Sequence, residues 1–123
     1  VSDGLAQFVR GHAERTKLPN ASIDLVTIMY AFHEIPGLGR YKVLREVRRV
    51  LKEGGTLALI DISPDYNPSP TMLAGEPYVL EYQQNIQKQM ISTKGFTFRQ
   101  YKEIVPGHVV MWLLTREKQV PLK

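Results

Sequence analysis

The sequence predicts an α/β domain in which a parallel strand, helix, strand unit over residues 23 to 63 is followed by a C-terminal antiparallel hairpin. Three observations carry this. Two short apolar runs, Ile23 to Phe32 and Thr56 to Ile62, are rich in β-branched residues and too short to cross a membrane. Between them the hydrophobic period changes to that of a helix. After Gly95, two further runs, Phe96 to Ile104 and Val109 to Leu114, flank the turn Val105-Pro106-Gly107-His108.

The elements follow in order. Leu5 to Arg10 is a short candidate strand, Gly11 to Thr16 a polar loop, and Lys17 to Ser22 a turn in which Pro19 bars a helix. The run Ile23 to Phe32 is expected to be buried on both faces, as in a parallel sheet. From Gly39 to Lys52, the residues Val43, Leu44, Val47, Val50 and Leu51 form one helical stripe, with Lys42, Arg45, Glu46, Arg48 and Arg49 opposite. Lys52-Glu53-Gly54-Gly55 is expected to stop this helix through a left-handed glycine. Two buried strands joined by a one-sided helix make a βαβ unit.

Ser63 to Pro70 carries three prolines and reads as a surface loop. Glu76-Pro77 opens a second helix, whose buried stripe is Val79, Tyr82, Ile86 and Met90. Its glutamine-rich opposite face is either solvated or covers a polar cavity. In the hairpin, the second strand belongs inside the sheet and the first at its edge, because Arg99, Gln100, Lys102 and Glu103 tolerate water. Thr115 to Lys123 reads as a polar tail.

The 123 residues are one domain's worth, and a 43% hydrophobic content supports a core without covalent staples. There is no cysteine, which excludes disulfides, thiolate metal sites and cysteine nucleophiles. A soluble, cytoplasmic protein is the expectation. Val1-Ser2-Asp3-Gly4 resembles an interior loop, so a piece of a longer polypeptide is expected. The formal charge is +4 and the pI about 9.4, with Arg40, Lys42, Arg45, Arg48, Arg49 and Lys52 on the crossover helix. No aromatics interleave with these charges to stack bases, so they read as a solvated face, and no nucleic-acid or membrane partner is expected.

In an open α/β sheet, ligands bind beyond the carboxyl ends of the parallel strands. Gly11 to Glu14, Tyr30 to Glu34 and Asp61 to Pro64 are expected to meet there. His33 and Glu34, an adjacent polar pair after an apolar run, could exchange a proton or orient a substrate. Alternatively, His33 enters a helix or loop bonded to backbone. No metal is expected, since His12, His33 and His108 have no close-spaced histidine partner. Gly37-Leu38-Gly39 lacks the third glycine of a dinucleotide fingerprint, and phosphate-loop, serine-elbow and zinc-helix motifs are absent from the sequence.

Gly11-His12-Ala13-Glu14, Leu18-Pro19, Ser22 to Val26, Tyr30 to Ile35, and Leu44 to Gly55 in this order resemble the class I S-adenosylmethionine-dependent methyltransferases. The resemblance covers about residues 5 to 63 and implies a partial Rossmann-like sheet. The chain would be a single, incomplete domain over residues 1–123, with 64–95 as a lid or substrate-covering insertion. The family's first two strands are missing, together with its glycine-rich cofactor loop and ribose-binding acid. Weak or no binding of S-adenosyl-L-methionine, and inactivity in isolation, are therefore expected.

By the same resemblance, His12, Ala13, Glu14, Tyr30 and Phe32 lie beside the cofactor, with His12 where the family has an aspartate. His33 is the candidate catalytic base. Tyr66, Tyr78 and Tyr82 are candidate neighbours of a small-molecule methyl acceptor. The alternative is a cofactor-free interaction module that pairs with another chain. In either case the strand at Ile23 lacks a partner on one side, and Leu5 to Arg10 or a second copy is expected to cover it, the latter giving a homodimer.

Overall fold

The computed structural model describes residues 10–119. Its elements are β1 (Ile23–Met29), a 3-10 turn (Phe32–Glu34), α1 (Gly37–Val50), β2 (Leu51–Ile62), α2 (Pro70–Gly75), α3 (Val79–Ser92), β3 (Phe96–Val105) and β4 (Val109–Arg116). The four strands form one sheet in the order β1-β2-β4-β3. β1 and β2 are parallel, and the other two pairings are antiparallel. The expected βαβ unit and hairpin are both present, with β4 inside the sheet and β3 at its edge. Most of the expected strand Leu5 to Arg10 lies outside the described residues.

One face of the sheet makes the core. Leu57 and Leu59 of β2 and Val110, Trp112 and Leu114 of β4 pack with Val43, Leu44 and Val47 of α1 and Tyr82, Ile86 and Met90 of α3. The period of two along the strands and the 3.6-residue period of the helices put these side chains opposite one another. By the same alternation Leu25, Met29, Ile60, Met111 and Leu113 point to the other face, and none of the described helices covers it. Leu25 and Met29 are each 56% exposed. Among the described residues β1 is thus a sheet edge covered on one face, and Leu25 and Met29 depart from the expected burial on both faces. β1 also stops before Phe32, because Tyr30 adopts φ +56 and breaks the extended backbone.

The expected glycine stop of α1 is corrected. The helix ends at Val50, Leu51 is already extended, and its N–H bonds the Val47 carbonyl. Lys52 to Gly55 instead fill a register shift in β2 between the pairs Ile23 with Leu51 and Leu25 with Thr56. Gly54 turns there with φ +79, and a Cβ on Gly55 would come within 2.8 Å of the Lys52 carbonyl oxygen. The glycines serve a bulge. α3 begins two residues after Pro77, with Tyr78 at its cap, and β4 runs two residues past Leu114 into the expected tail.

Two residues assigned to the polar side of the crossover helix are buried. Arg40 is fully enclosed between α1 and α3, and Glu46 lies under the segment that precedes β1. A charge can be buried only with its partners, and both have them.

Candidate functional site

The carboxyl ends of β1 and β2 meet at Asp61. It shares the alternation of Leu57 and Leu59, so its side chain points into the covered face, where it has no solvent exposure. A buried carboxylate needs donors, and four are present. Oδ2 accepts the N–H groups of Phe32 at 3.0 Å and His33 at 3.3 Å. Oδ1 accepts the N–H of Ile62 at 2.7 Å and lies 2.6 Å from His33 Nδ1. Tyr30 makes this possible, since its left-handed backbone turns the chain from β1 into the 3-10 turn and brings two successive N–H groups over Asp61.

The pair settles the imidazole's orientation. With Nδ1–H donated to Asp61, the neutral ring keeps its lone pair on Nε2. Nε2 faces Glu76 Oε1 at 3.4 Å. The donor atoms of His33, Glu34 and Glu76 lie within 4.8 Å of one another, a spacing that a divalent cation could bridge. Glu76 is a neighbour of His33 that residue spacing did not single out, whereas Asp61 was expected at this rim, though not as the partner of His33. Asp61 carried a signal nonetheless, as a carboxylate in core register within an otherwise apolar strand.

A second network fixes the wall of this rim. Arg40 donates from Nη1 to the Ile35 carbonyl at 2.6 Å, from Nη2 to Glu81 Oε2 at 2.5 Å and from Nε to Gln89 Oε1 at 2.8 Å. Glu81 also accepts the Gly37 N–H at 2.9 Å, and the hydrogen bond from Arg40 holds its carboxyl below the usual range. The glutamine side of α3 is partly used in this way. Gln89 also reaches the Gly37 carbonyl, and Gln83 donates to the carbonyls of Ser63 and Tyr66, whereas Gln84 and Gln87 are solvated. Neither expected reading of that face, all solvent or a polar cavity, describes it.

The anticipated acceptor neighbours separate. Tyr82 stands behind His33, with ring centroids 6.3 Å apart, and donates its hydroxyl to the Ile62 carbonyl at 2.8 Å. Burial, and then the Asp61 carboxylate, push its phenol far above the ordinary range, so it stays protonated. Tyr66 is half-buried against the His108 ring at 5.6 Å, and Tyr78 is exposed at the start of α3.

Of the anticipated cofactor neighbours, Tyr30 is half-exposed at the end of β1, whereas Phe32 is a core residue with no exposed surface. Gly11 to Glu14 lies along α1 and β1. His12 accepts the Arg15 N–H on its carbonyl at 2.9 Å, Ala13 lines a groove with Val26, Ile28 and Val43, and Glu14 borders a concavity with Arg45 and Arg49. Two of the three rim segments are therefore bonded to each other, through Asp61, whereas the third runs along α1 and β1, with Glu14 at the concavity of Arg45 and Arg49.

Residues 1–59 match a family model described as a methyltransferase domain. A demethylmenaquinone methyltransferase of Listeria welshimeri is 42% identical over 57 residues, covering 46% of this chain and 23% of the relative. A phthiotriol/phenolphthiotriol dimycocerosates methyltransferase of Mycobacterium leprae is 45% identical over 58 residues, covering 47% of this chain and 21% of the relative. The chain spans less than a quarter of the length of these relatives.

Among solved structures, a SAM-dependent methyltransferase from Aquifex aeolicus superposes with a TM-score of 0.58 at 21% identity, covering 89% of this chain and 54% of the other. One from Mesorhizobium loti gives 0.61 at 15% identity, covering 88% and 68%. The fold is a partial Rossmann-like one of the kind these structures share.

Proposed function

We propose that this chain is the acceptor-side part of an S-adenosyl-L-methionine-dependent methyltransferase acting on a small molecule, and that it is inactive in isolation. The observation that carries this reading is the Asp61–His33 pair at the carboxyl end of the parallel strands, where such sheets bind ligands. The face that no described helix covers, and the β1 edge that pairs with no second strand among the described residues, support it, since a doubly wound sheet carries helices on both faces. The absence of cysteine suits a cytoplasmic site. Among the described residues no helix is long and apolar enough to cross a membrane.

The residues present fit one side of the cofactor. Half-exposed Tyr30 and exposed Met29 offer an apolar surface to a flat purine. His12 and Ala13 border it in this reading, Glu14 lies farther along at the arginine-lined concavity, and Phe32 supports it from beneath. S-adenosylmethionine, when bound, supplies the electrophilic methyl group. His33 takes the acceptor's proton on Nε2, and Asp61 stabilises the resulting imidazolium through Nδ1–H. Access to Nε2 passes Glu76, at the junction of α2 and α3 within the 64–95 lid, so acceptor binding displaces that carboxylate. Tyr66 and Tyr78 lie along this lid as acceptor contacts, while Tyr82 positions the imidazole.

The test is methyl transfer by the complete polypeptide that carries this chain. His33→Ala is expected to lower kcat by about a hundredfold or more with little change in cofactor Kd. An unchanged kcat would remove His33 from the chemistry. A second reading rests on the exposed Leu25 and Met29: the chain works without cofactor by pairing, two copies joining through β1 as a homodimer. Sedimentation at high concentration tests it, and a strictly monomeric profile would contradict it.

A further inference from the structure

The end of α1 remote from His33 carries a feature that neither reading uses. Arg15, Lys42, Arg45, Arg48, Arg49 and Arg116 line a single concavity of about 570 Å³, together with Glu14 and Glu46. Glu46 is already engaged: Arg49 binds it bidentately through Nε at 2.9 Å and Nη2 at 2.8 Å. Thr16 adds its N–H at 2.7 Å and its hydroxyl at 2.6 Å. The negative end of the helix is engaged too. The Arg49 and Val50 carbonyls accept the N–H groups of Ala21 and Ser22, and the Leu51 carbonyl accepts from Arg116 Nη1. The helix dipole therefore does not account for the remaining cations. Among the described residues, the side chains of Arg15, Lys42, Arg45 and Arg48 make no hydrogen bond or ion pair.

Arg116 supplies an independent observation. Its Nε is buried and has no partner among the described residues, although buried N–H donors are almost always satisfied by protein, water or an ion. A concave surface that gathers cations, one of whose lining residues also carries an unpaired buried donor, is electrostatically incomplete.

We propose that this concavity is a binding site for a small, multiply charged phosphate anion, a diphosphate or polyphosphate group, distinct from the methyl-transfer rim. Planar guanidinium groups from α1, from the segment before β1 and from the end of β4 surround the anion, and fork-shaped donors suit phosphate oxygens. The group could come from inorganic diphosphate or from the polyphosphate tail of a nucleotide, and the two share this chemistry.

Isothermal titration of the 123-residue chain with inorganic diphosphate tests the site. One saturable site is expected, weakened by added salt. Arg45→Gln combined with Arg15→Gln, both exposed and outside the core, should lower affinity by about tenfold or more at unchanged melting temperature. Lys102→Gln, the same kind of charge loss on exposed β3, should change it less than about twofold. A nucleoside triphosphate arm identifies the source: tighter binding than diphosphate assigns a nucleotide, and equal binding assigns the phosphate group alone. No saturable diphosphate binding, or equal loss with Lys102→Gln, would overturn the proposal. So would binding of RNA or anionic vesicles that diphosphate does not displace. None of these outcomes depends on methyl transfer.

Discussion

The two faces of the sheet are made from the same strands and live in different environments. On β4, Trp112 and Leu114 are fully buried beneath the helices, while their neighbours Met111 and Leu113 point to the other face and keep part of their surface in water. Ile60 and Asp61 stand in the same relation on β2. The difference teaches that half of this α/β sandwich is finished: α1 and α3 form a dry core on one side, and the other side carries apolar residues without an equivalent layer among the described residues. Apolar residues on an open face are costly to keep unless something covers them.

Substitutions on adjacent residues break the comparison most sharply. Trp112→Ala should destabilise the chain by about 3–5 kcal/mol, and Met111→Ala by about 1 kcal/mol or less. Urea unfolding of both variants measures this, and similar losses would mean that the open face is packed in solution. Asp61→Ala comes next. It strands the N–H groups of Phe32, His33 and Ile62 and releases the imidazole, at a cost of about 2–4 kcal/mol. Asp61→Asn keeps the volume and should cost less, while shifting His33 toward the other tautomer, which imidazole nitrogen chemical shifts report.

A smaller effect is set by pH. Arg49, chiefly, and Thr16 lower the Glu46 carboxyl from 4.5 to about 2. Because the folded value lies below the unfolded one, Glu46 contributes its full stability above about pH 4.5 and loses it as pH falls toward 2. Glu46→Gln should flatten the decline in that window and leave the neutral-pH slope unchanged, as read from acid-dependent melting temperatures. Least costly is Leu25→Lys on the open edge. It should alter stability by less than about 0.5 kcal/mol, and, if two copies pair through β1, abolish the dimer in sedimentation.

Much of this was legible in the sequence, for reasons that differ by element. The stripes of α1 and α3 and the hairpin were readable because burial on one side writes a period into the chain. The rim was half readable. The switch from apolar residues to His33 and Glu34 marked the end of β1, but the partner that organises it, Asp61, lies 28 residues away and is joined by tertiary packing alone.

Arg40 and Glu46 were assigned to water because a charged residue near a helix's polar side looks the same whether it meets solvent or a distant carboxylate. Gly54 and Gly55 fitted a helix stop equally well as a bulge, and only strand register distinguishes them. The one-sided burial of β1 could not be read from its composition, since Leu25 and Met29 are as apolar as the buried Leu57 and Leu59.

The central claim is that the carboxyl ends of β1 and β2 form the adenine and acceptor side of a methyltransferase site. Its most direct test is an amide chemical-shift titration of the isotopically labelled chain with S-adenosylhomocysteine. Weak binding is expected, with a Kd on the order of millimolar, and shifts concentrated at residues 12–13 and 30–33. Micromolar saturation, or shifts that spare those residues, would contradict it.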